Sequence, residues 1–449
     1  MLSNLFRQKN SALFIRMLLP KSFCLFALFA FQRNDMRSSP VWLILAGFMV
    51  LLDLYVFQII KTVSHGSPKT RSIIFTSYWI ISIVALIILF VLPLLQLDNY
   101  SKGVRSTVFA VIIGLFLAKL IASVFFLVDD IRRATQWLVG KVLFRNTEGE
   151  QMEEGGISRS VFLSWLGLAV GGGLFGSLLL GFSNKYNYHV KKIKLTYPNL
   201  PLSFKGLRVV QISDIHSGSF TNKSAVQKGI EKILQLKPDL VLFTGDLVNN
   251  KSEEMQNYMD LFNQVKAPLG VFSTLGNHDY GDYVQWPSTD AKKQNLEYLK
   301  QIHGQLGWRL LMNEHVLLNK NGEQIAVIGV ENWSAKARFP KYGDLAKAYS
   351  GAEIAPFKIL MSHDPSHWDG EVLPKYGDID LMLAGHTHGM QFGVEIPWLK
   401  WSPVQYVYKQ WAGLYQQGKQ KLYVNRGFGF IGYPGRVGIL PEITLFELA

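Results

Sequence analysis

The sequence predicts two parts in series, an N-terminal α-helical transmembrane bundle followed by an α/β domain. Three observations predict this arrangement. Hydrophobic residues make up 49% of the 449 residues, and the apolar excess lies almost entirely before residue 183. Four apolar stretches in that part are long enough to cross a bilayer, which needs about 20 residues. From Lys191 onward, short β-rich runs alternate with helical ones. We therefore divide the chain into a transmembrane region, 36–183, and an α/β domain, 184–449.

The four predicted spans are Val41–Ile60, Ile73–Leu97, Thr107–Val128 and Val161–Phe182. Asp53 interrupts the first and Lys119 the third. A charge at membrane depth is unfavourable unless it faces a bundle interior or a partner. One interpretation is a buried Asp53–Lys119 pair or a lipid-headgroup contact. The other, which we favour from sequence, is a charge near a helix bend that snorkels or pairs incidentally.

The fourth span contains several glycines, which let transmembrane helices approach closely. We expect the face that carries them to pack against another span: Gly171, Gly172, Gly173 and Gly176.

The first 35 residues allow two interpretations. Phe23–Phe31 is apolar but too short to span, which is typical of a signal-peptide-like element. Alternatively, Met36 is the true start, since Met36–Pro40 leads directly into the first span. The single cysteine, Cys24, excludes a disulfide framework or a cysteine metal cluster within one chain.

The charge pattern points to a membrane rather than to nucleic acid. The formal net charge is +13, but no basic patch with interleaved aromatics is evident. Basic residues flank the apolar runs, where they face phospholipid headgroups. Beyond the third span, Ile131–Phe144 is amphipathic at helical spacing and predicts a helix on the membrane surface.

Four spans place the N-terminus and the α/β domain on the same side of the membrane. The basic residues of the two sides balance, and the Arg132–Arg133 pair next to the third span favours an extracytoplasmic domain. A cytoplasmic enzyme of lipid-precursor synthesis would require the opposite topology.

The α/β domain begins with short apolar runs that read as strands. They are Leu207–Ser213, Leu240–Thr244, Val271–Leu275, Ile325–Val330, Ile359–Met361, Leu381–Ala384, Leu422–Val424 and Ile443–Phe446. Lys223–Leu236 and Glu253–Val265 read as helices between the early strands, which predicts βαβ units.

Five polar motifs follow five of these strands: Asp214-Ile215-His216, Gly245-Asp246, Gly276-Asn277-His278-Asp279, Ser362-His363-Asp364 and Gly385-His386-Thr387-His388-Gly389. Each motif alone is weak, since Gly-Asp after a strand is often only a turn. In an α/β sheet, strand ends converge on one crevice. Oxygen and nitrogen donors without thiolate suit divalent Mn, Fe or Zn. In an extended chain, residues two apart point the same way, so Asp214 and His216 are expected to reach one site together, as are His386 and His388.

The ordered set resembles the calcineurin-like metallophosphoesterase superfamily over about Leu207 to Leu448. Within it, the chain is most similar to the transmembrane proteins with a metallophosphoesterase domain, a group that includes members like UDP-2,3-diacylglucosamine hydrolase. The tail Asn425–Gly429, with Pro434 and Pro441–Ile443, resembles the ending of that group. Met390 departs from it, because members often carry a second glycine there, and this affects the expected loop shape.

The resemblance implies a metallophosphoesterase domain of two mixed β-sheets, sandwiched and flanked by helices. It implies seven ligands for two divalent ions, with Mn favoured over Fe or Zn: Asp214, His216 and His388 for the first, Asn277, His363 and His386 for the second, and Asp246 bridging both. His278 would act as the acid or charge stabiliser, with Asp279 orienting it. A hydroxide bridging the ions would attack phosphorus in line.

Residues outside the motifs carry weaker hypotheses. His367 is a candidate to support the ligands, and Arg426 is either a phosphate contact or half of a structural ion pair. The histidines without motif context read as surface or structural residues: His65, His189, His303 and His315. The segment after His388 is rich in Trp, Tyr and Lys, including Trp398 and Trp401. It is expected either to contact the bilayer and the substrate or to pack as a lid.

The predicted function is hydrolysis of a phosphoester or pyrophosphate bond, with a lipid-linked substrate such as UDP-2,3-diacylglucosamine or a phospholipid. A nucleotide or a wall-linked diphosphate also fits the motifs. The alternative is a catalytically silent membrane sensor or scaffold with a metal-binding domain. A transporter-like bundle is disfavoured, because four spans without an evident inverted repeat do not fit that class.

Overall fold

The computed structural model describes residues 40–91, 102–143, 159–336 and 339–449. The interpretations of the first 35 residues, of Cys24 and of Met36 as a start lie outside the described residues. The chain divides into two compact units, Met1–Leu97 with Leu115–Gly172, and Asp98–Gly114 with Gly173–Ala449.

Four long helices correspond to the four predicted spans: α1 Pro40–Val63, α2 Pro68–Val91, α3 Lys102–Leu143 and α4 Arg159–Asn184. Each contains a segment long and apolar enough to cross a membrane. The amphipathic stretch predicted to start at Ile131 is not a separate helix. It continues α3 as far as Leu143.

Asp53 and Lys119 form a buried ion pair, so the interpretation favoured from sequence was wrong. Asp53 is 4% exposed, and its carboxylate accepts hydrogen bonds from Lys119 and from the Ser82 hydroxyl at 3.0 Å. The Tyr78 hydroxyl also donates to the Asp53 carbonyl at 2.8 Å. The charge thus has partners on two other helices, which is how a charge is accommodated at membrane depth.

Close helix approach in this unit involves Gly171 rather than the full glycine set. A Cβ on Gly171 would lie 2.6 Å from the Ala118 carbonyl oxygen. By contrast, no described atom lies within 4 Å of a Cβ placed on Gly172, Gly173 or Gly176. The packing prediction therefore holds for Gly171 only.

The second unit contains fourteen described strands. They are β1 His189–Leu195, β2 Arg208–Ile212, β3 Leu240–Thr244, β4 Val271–Thr274, β5 Arg309–Leu310, β6 Glu314–Lys320, β7 Glu323–Gly329, β8 Lys358–Met361, β9 Leu381–Ala384, β10 Val394–Ile396, β11 Leu399–Trp401, β12 Gly413–Gln417, β13 Gln420–Val424 and β14 Glu442–Leu448. Its shorter helices are α5 Lys223–Gln235, α6 Met259–Phe262, α7 Thr289–Gln305, α8 Leu345–Tyr349 and α9 Leu373–Lys375.

Twelve of these strands form two mixed six-stranded sheets, with orders β1-β14-β2-β3-β4-β5 and β12-β13-β9-β8-β7-β6. The central pairs β2–β3, β3–β4, β7–β8 and β8–β9 are parallel. In the first sheet β14 pairs antiparallel with β2, and in the second sheet both edge pairs, β12–β13 and β6–β7, are antiparallel. β10 and β11 form a separate antiparallel hairpin.

The core has three layers, which explains why the central strands are continuous apolar runs. One cluster lies between the sheets and joins Val209 and Leu242 to Ile359 and Leu383. A second packs the other face of the first sheet against α5 and α7, and a third packs the second sheet against α8. The predicted sandwich of two mixed sheets flanked by helices is confirmed.

Two features of this unit were not expected. Glu253–Val265 is not one helix but a 3₁₀ segment, Ser252–Tyr258, followed by the single turn α6. Strands β1 and β6 were missed because polar residues outnumber apolar ones along them.

Candidate metal centre

The five polar motifs lie directly after five neighbouring strands. Asp214 follows β2, Asp246 follows β3 and Asn277 follows β4 in the first sheet, while His363 follows β8 and His386 follows β9 in the second. Because these strands are parallel within each sheet, their carboxyl ends lie at one edge. The sandwich brings the two edges together, since the Asp246 carboxylate and the His363 ring are 3.1 Å apart.

Asp214, His216 and His388 form the first group of donors. Asp214 Oδ1 lies 3.2 Å from His388 Nε2, and the Nε2 atoms of His216 and His388 are 3.0 Å apart. All three residues are at most 5% exposed. One donor atom from each lies within 4.8 Å of the others.

Asp246, His363 and His386 form the second group, again with donor atoms within 4.8 Å of one another. His386 Nδ1 lies 3.3 Å from His363 Nε2 and 2.8 Å from Asn277 Oδ1. Asn277 therefore joins this group, as the resemblance implied. His386 and His388 belong to different groups, so the expectation that this pair reaches one site together was wrong.

The Asp246 carboxylate lies between the two groups. Its Oδ2 is 3.1 Å from His363 Nε2 in the second group and 3.5 Å from His216 Nε2 in the first. It is thus the one carboxylate of the cluster with an oxygen near imidazoles of both groups.

Left-handed backbone, rather than extended chain, aims most of these side chains. The φ angles are 51° at Asp214, 48° at His216, 60° at Asp246, 72° at His386 and 50° at His388. Non-glycine residues adopt this region rarely, and such strain gathers at functional sites. The assumption of extended geometry was therefore wrong, although Asp214 and His216 do meet.

At two motif positions only glycine fits, because a Cβ atom there would collide with a neighbouring carboxylate. A Cβ on Gly276 would lie 2.2 Å from Asp246 Oδ1, and one on Gly385 would lie 2.2 Å from Asp214 Oδ2. Met390, the expected departure from the family pattern, has a φ of 55°, so this non-glycine residue lies in the left-handed region.

Burial and neighbouring charges set the protonation of the cluster. Burial lowers the pKa of His216 and His388, and lowers that of His386 to about 4, so these imidazoles offer a lone pair at neutral pH. Burial opposes ionisation of Asp246, yet the imidazoles of His363 and His278 hold the pKa of that carboxyl well below its usual range. Burial also works to lower the pKa of His363, but Asp246 and Asp214 raise it to about 10.

This donor set fits a pair of divalent cations. Metal ligands must be ionised carboxylates and neutral imidazoles, and these protonation states match except at His363, where a cation would replace a proton. The Nε2 atoms of His216 and His388 lie 3.0 Å apart, so the two rings are placed to ligate one cation together. Seven oxygen and nitrogen donors without thiolate, six of them on buried residues, suit Mn, Fe or Zn.

His278 borders the cluster without joining either group of three. Its Nδ1 is 2.7 Å from the Asn249 carbonyl oxygen and so carries the proton of that hydrogen bond. Its ring lies edge-on to His216, with centroids 5.0 Å apart. Nε2 is therefore the ring atom left for proton transfer.

Asp279 does not orient the His278 ring, contrary to expectation. Its buried carboxylate accepts backbone N–H bonds from Asp246, Leu247, Val248 and Gly276 at 2.8–3.3 Å. Burial, together with the charge of Asp246, raises the pKa of Asp279 to about 7. Asp279 fixes the loop that carries Asp246, and the Asn249 carbonyl orients His278.

Tyr408 and Asp364 contact the cluster and were not predicted. The Tyr408 hydroxyl lies 2.8 Å from His386 Nε2 and donates to Asp364 Oδ2 at 3.1 Å. His386 Nε2 thus shares a hydrogen bond with the Tyr408 hydroxyl, while the other ring nitrogen, Nδ1, faces the Asn277 amide oxygen. Asp364 follows His363 in its motif, but no sequence spacing marks Tyr408.

Arg426 forms a structural ion pair, which was one of the two roles predicted for it; the other was a phosphate contact. It is 4% exposed, and its guanidinium bonds Glu442 and both carboxylate oxygens of Glu395, at 2.6 and 3.0 Å. A second buried arginine, Arg436, was missed. Its guanidinium donates to the Arg426 carbonyl at 2.7 Å and lies 3.3 Å from His388 Nδ1.

His367 bonds Ser362 and Glu371 and stacks on Trp333, and has no described bond to the clustered donors.

The aromatic segment after His388 divides into two parts. Val404, Tyr408, Trp411, Ala412 and Ile439 form a small buried cluster, as the lid interpretation predicts. Trp398 is instead 82% exposed. Trp401 is half-buried, and its described hydrogen bond is to Tyr406. Within the described residues, neither tryptophan bonds a clustered donor.

Fold and site together define a class of α/β domain with a candidate metal centre: two mixed sheets whose strand ends hold two groups of donors, with the Asp246 carboxylate between them. A family model for calcineurin-like phosphoesterases matches residues 207–390. A second model, described as a probable calcineurin-like phosphoesterase transmembrane domain, matches residues 36–185.

Known proteins agree with these matches. An uncharacterized metallophosphoesterase of Bacillus subtilis is 30% identical over 256 residues, which cover 56% of this chain and 81% of that protein. A transmembrane protein with metallophosphoesterase domain from Danio rerio is 29% identical, covering 68% of this chain and 66% of its own length. A UDP-2,3-diacylglucosamine pyrophosphatase, LpxG, of Chlamydia muridarum is 29% identical over 50% of this chain and 78% of that protein.

The chain belongs to the calcineurin-like phosphoesterase family, in a form that also carries helices long and apolar enough to cross a membrane. It spans just under two thirds of the length of the Danio rerio protein, at 66%, and 63% of an uncharacterized metallophosphoesterase of Campylobacter jejuni.

Proposed function

We propose that this chain is a membrane-bound phosphoesterase that uses two divalent ions to hydrolyse a phosphoester or pyrophosphate bond of a lipid-linked substrate. The observation that carries the proposal is the position of Asp246, whose Oδ2 lies within 3.5 Å of imidazoles in both donor groups. A buried carboxylate between two groups of imidazoles suits a shared ligand of two cations.

Seven residues would hold the ions: Asp214, His216 and His388 one, Asn277, His363 and His386 the other, and Asp246 both. Two bound divalent ions supply Lewis-acid stabilisation of phosphoryl oxygens and lower the pKa of a water. Nitrogen and oxygen donors admit Mn, Fe or Zn, and we favour Mn.

His278 would serve the reaction by proton transfer. His278 Nδ1 lies 2.7 Å from the Asn249 carbonyl oxygen, and this hydrogen bond fixes the ring. Nε2 is then left to give a proton to the leaving oxygen. Asp279 would act indirectly, because its bonds to four backbone N–H groups hold the loop of Asp246 in place.

The lipid-linked substrate class is supported by two features. The described part of the chain includes four helices able to span a bilayer, and a relative, LpxG, is named a UDP-2,3-diacylglucosamine pyrophosphatase. Substrates of this class include UDP-2,3-diacylglucosamine and phospholipids.

The test is turnover by purified full-length protein, stripped with EDTA and reloaded with Mn²⁺. Substrates would be UDP-2,3-diacylglucosamine, a phospholipid and a short soluble phosphodiester. We expect turnover on a lipid-linked substrate that EDTA abolishes and Mn²⁺ restores.

The Asp246→Asn variant should lose both turnover and bound metal. Asp239→Asn, at the opposite end of β3, is the matched control and should retain both. Metal-loaded wild type without turnover on any substrate would instead support the silent sensor or scaffold.

A further inference from the structure

The β10–β11 hairpin presents an apolar face to the outside. Val394 pairs with Trp401 and Ile396 with Leu399, so these four residues share one face of the hairpin. Val394, Ile396 and Leu399 are 38–46% exposed, and Trp398 in the connecting turn is 82% exposed. A hairpin facing water on one side normally turns its apolar residues toward the core and its polar ones outward.

The charged side chains of the hairpin reach partners in the domain, although Lys400 itself remains exposed. Glu395 and Lys400 pair with each other across the strands. Glu395 bonds the buried guanidinium of Arg426 twice. Lys400 donates to the Ala412 carbonyl and lies 4.8 Å from the centre of the Trp411 ring. The hairpin is therefore fixed through its charged face. On its apolar face Trp401 bonds Tyr406, while Val394, Ile396 and Leu399 remain exposed.

The hairpin adjoins the end of a membrane-spanning helix. Gly393, the residue before β10, donates to the Val437 carbonyl at 2.9 Å, and Val437 N–H donates to Gln391 at 2.8 Å. The segment that ends at Val437 contacts the last turns of α4. Arg436 N–H donates to the Gly181 carbonyl at 2.9 Å, and the Tyr433 ring lies 5.6 Å from that of Phe182.

We propose that the β10–β11 hairpin inserts its apolar face into the surface of a lipid bilayer. The end of α4 brings this part of the domain to the membrane boundary, where tryptophan rings are favoured. Tyr406 and Val407, 56% and 43% exposed, extend the same apolar surface along the chain.

A second protein copy is a poorer occupant, because a stable protein interface takes about 20–30 residues per side. The hairpin and the two residues that extend it supply far fewer.

The hairpin also lies close in sequence to the metal centre. Tyr408, directly after Val407, is bonded to His386. Docking would hold the segment that contacts the cluster at the lipid surface. That docking would favour lipid-borne substrates rests on the proposed function, whereas docking of the hairpin on the bilayer does not.

Site-directed spin labelling of the full chain in phospholipid vesicles tests the docking. In a Cys24→Ser background, Trp398→Cys carries the nitroxide. Lys419→Cys, at the tip of the exposed β12–β13 hairpin, is the matched control. Leu202→Cys provides a 72% exposed apolar position elsewhere in the domain. We expect the label at 398 to be more accessible to oxygen than to a water-soluble nickel complex, and both controls to show the reverse.

The proposal would be overturned if the labels at positions 398 and 419 were equally accessible to the nickel complex. So would spin–spin broadening at 398 that grows with protein density in the vesicles, because it would identify a second copy as the occupant. Both readouts are independent of turnover, so they hold even if the proposed function fails.

The consequence for the substrate is tested with Ile396→Ser/Leu399→Ser. We expect the ratio of turnover on vesicle-borne lipid to turnover on a soluble phosphodiester to fall at least about tenfold, since each apolar side chain inserted stabilises binding. Leu202→Ser should leave that ratio unchanged. An unchanged ratio in the hairpin variant would show that docking does not deliver the substrate.

Discussion

His278 and the seven clustered donors have different neighbours, and this difference separates their expected roles. The ring of His278 is held by a backbone carbonyl, whereas the donors face one another. Its side chain can therefore be removed without removing a ligand.

We expect His278→Ala to lower kcat by about 10²–10⁴-fold, the usual contribution of a positioned acid, while both ions stay bound. Turnover and metal content of the purified variant check this. His315→Ala is the matched control, because His315 has the same type of ring bond, to the Ala348 carbonyl at 3.0 Å, outside the cluster. A variant that has lost an ion would make His278 a ligand instead.

Tyr408 is expected to be a positioning residue. Its hydroxyl joins His386 Nε2 to Asp364, which fixes the ring so that Nδ1 faces the second group. Partners of this kind typically affect metal affinity about 10–100-fold. We expect Tyr408→Phe to weaken binding of one of the two Mn²⁺ ions by about that factor, measured by calorimetric titration of stripped protein.

Tyr415→Phe serves as its control, since the Tyr415 hydroxyl accepts backbone N–H bonds from Trp411 and Ala412. Equal Mn²⁺ affinities in wild type and Tyr408→Phe would remove the positioning role.

At the scale of the elements, α1, α2 and α3 are joined by the Asp53, Ser82 and Lys119 network. Removing one partner of a buried pair leaves an uncompensated charge and costs about 3–5 kcal/mol, whereas replacing both is often near neutral. We expect Asp53→Leu to lower the unfolding temperature in detergent markedly, and Asp53→Leu/Lys119→Met to restore most of the loss. A double variant as unstable as the single one would contradict this.

A buried histidine gives the second unit a pH-dependent stability. Burial lowers the pKa of His303, packed near Phe243 and Trp308, to about 3. Since an unfolded histidine titrates near 6.5, the unfolded chain binds the proton first as the pH falls. The stability that neutral His303 contributes is therefore present above pH 6.5 and is lost progressively toward pH 3.

From this group we expect a loss of about 2 kcal/mol between pH 6.5 and 5. His303→Leu should show a shallower pH dependence of denaturant unfolding, followed by tryptophan fluorescence. Identical slopes for His303→Leu and wild type would count against the assignment.

At the scale of the whole molecule, the side of the membrane on which the domain lies decides which substrates it meets. The Arg132–Arg133 pair favours an extracytoplasmic domain, although both arginines are paired with Asp129. In a Cys24→Ser background, we expect Lys419→Cys to react with an impermeant maleimide in intact cells. Gln151→Cys, on the predicted opposite side, should react only after lysis. The reverse pattern would place the domain in the cytoplasm, where nucleotide-activated lipid precursors are made.

The sequence alone determined the features that depend on local pattern. Apolar length fixes the four helices, and short apolar runs locate β2, β3, β4, β8 and β9. The motifs after those strands supply the donor types that the structure brings together. Hydrophobic periodicity and turn chemistry act over a few residues, so they can be read directly from the chain.

Tertiary structure decided which donors share a group, because left-handed backbone redirects the side chains of Asp214, His216, His386 and His388. It also paired Arg426 with Glu395, 31 residues away, and Tyr408 with Asp364, 44 residues away. The tertiary structure also gave the charged face of the β10–β11 hairpin its partners in the domain and left Trp398 exposed. Contacts across such separations depend on how the sheets pack, and no local pattern encodes that packing.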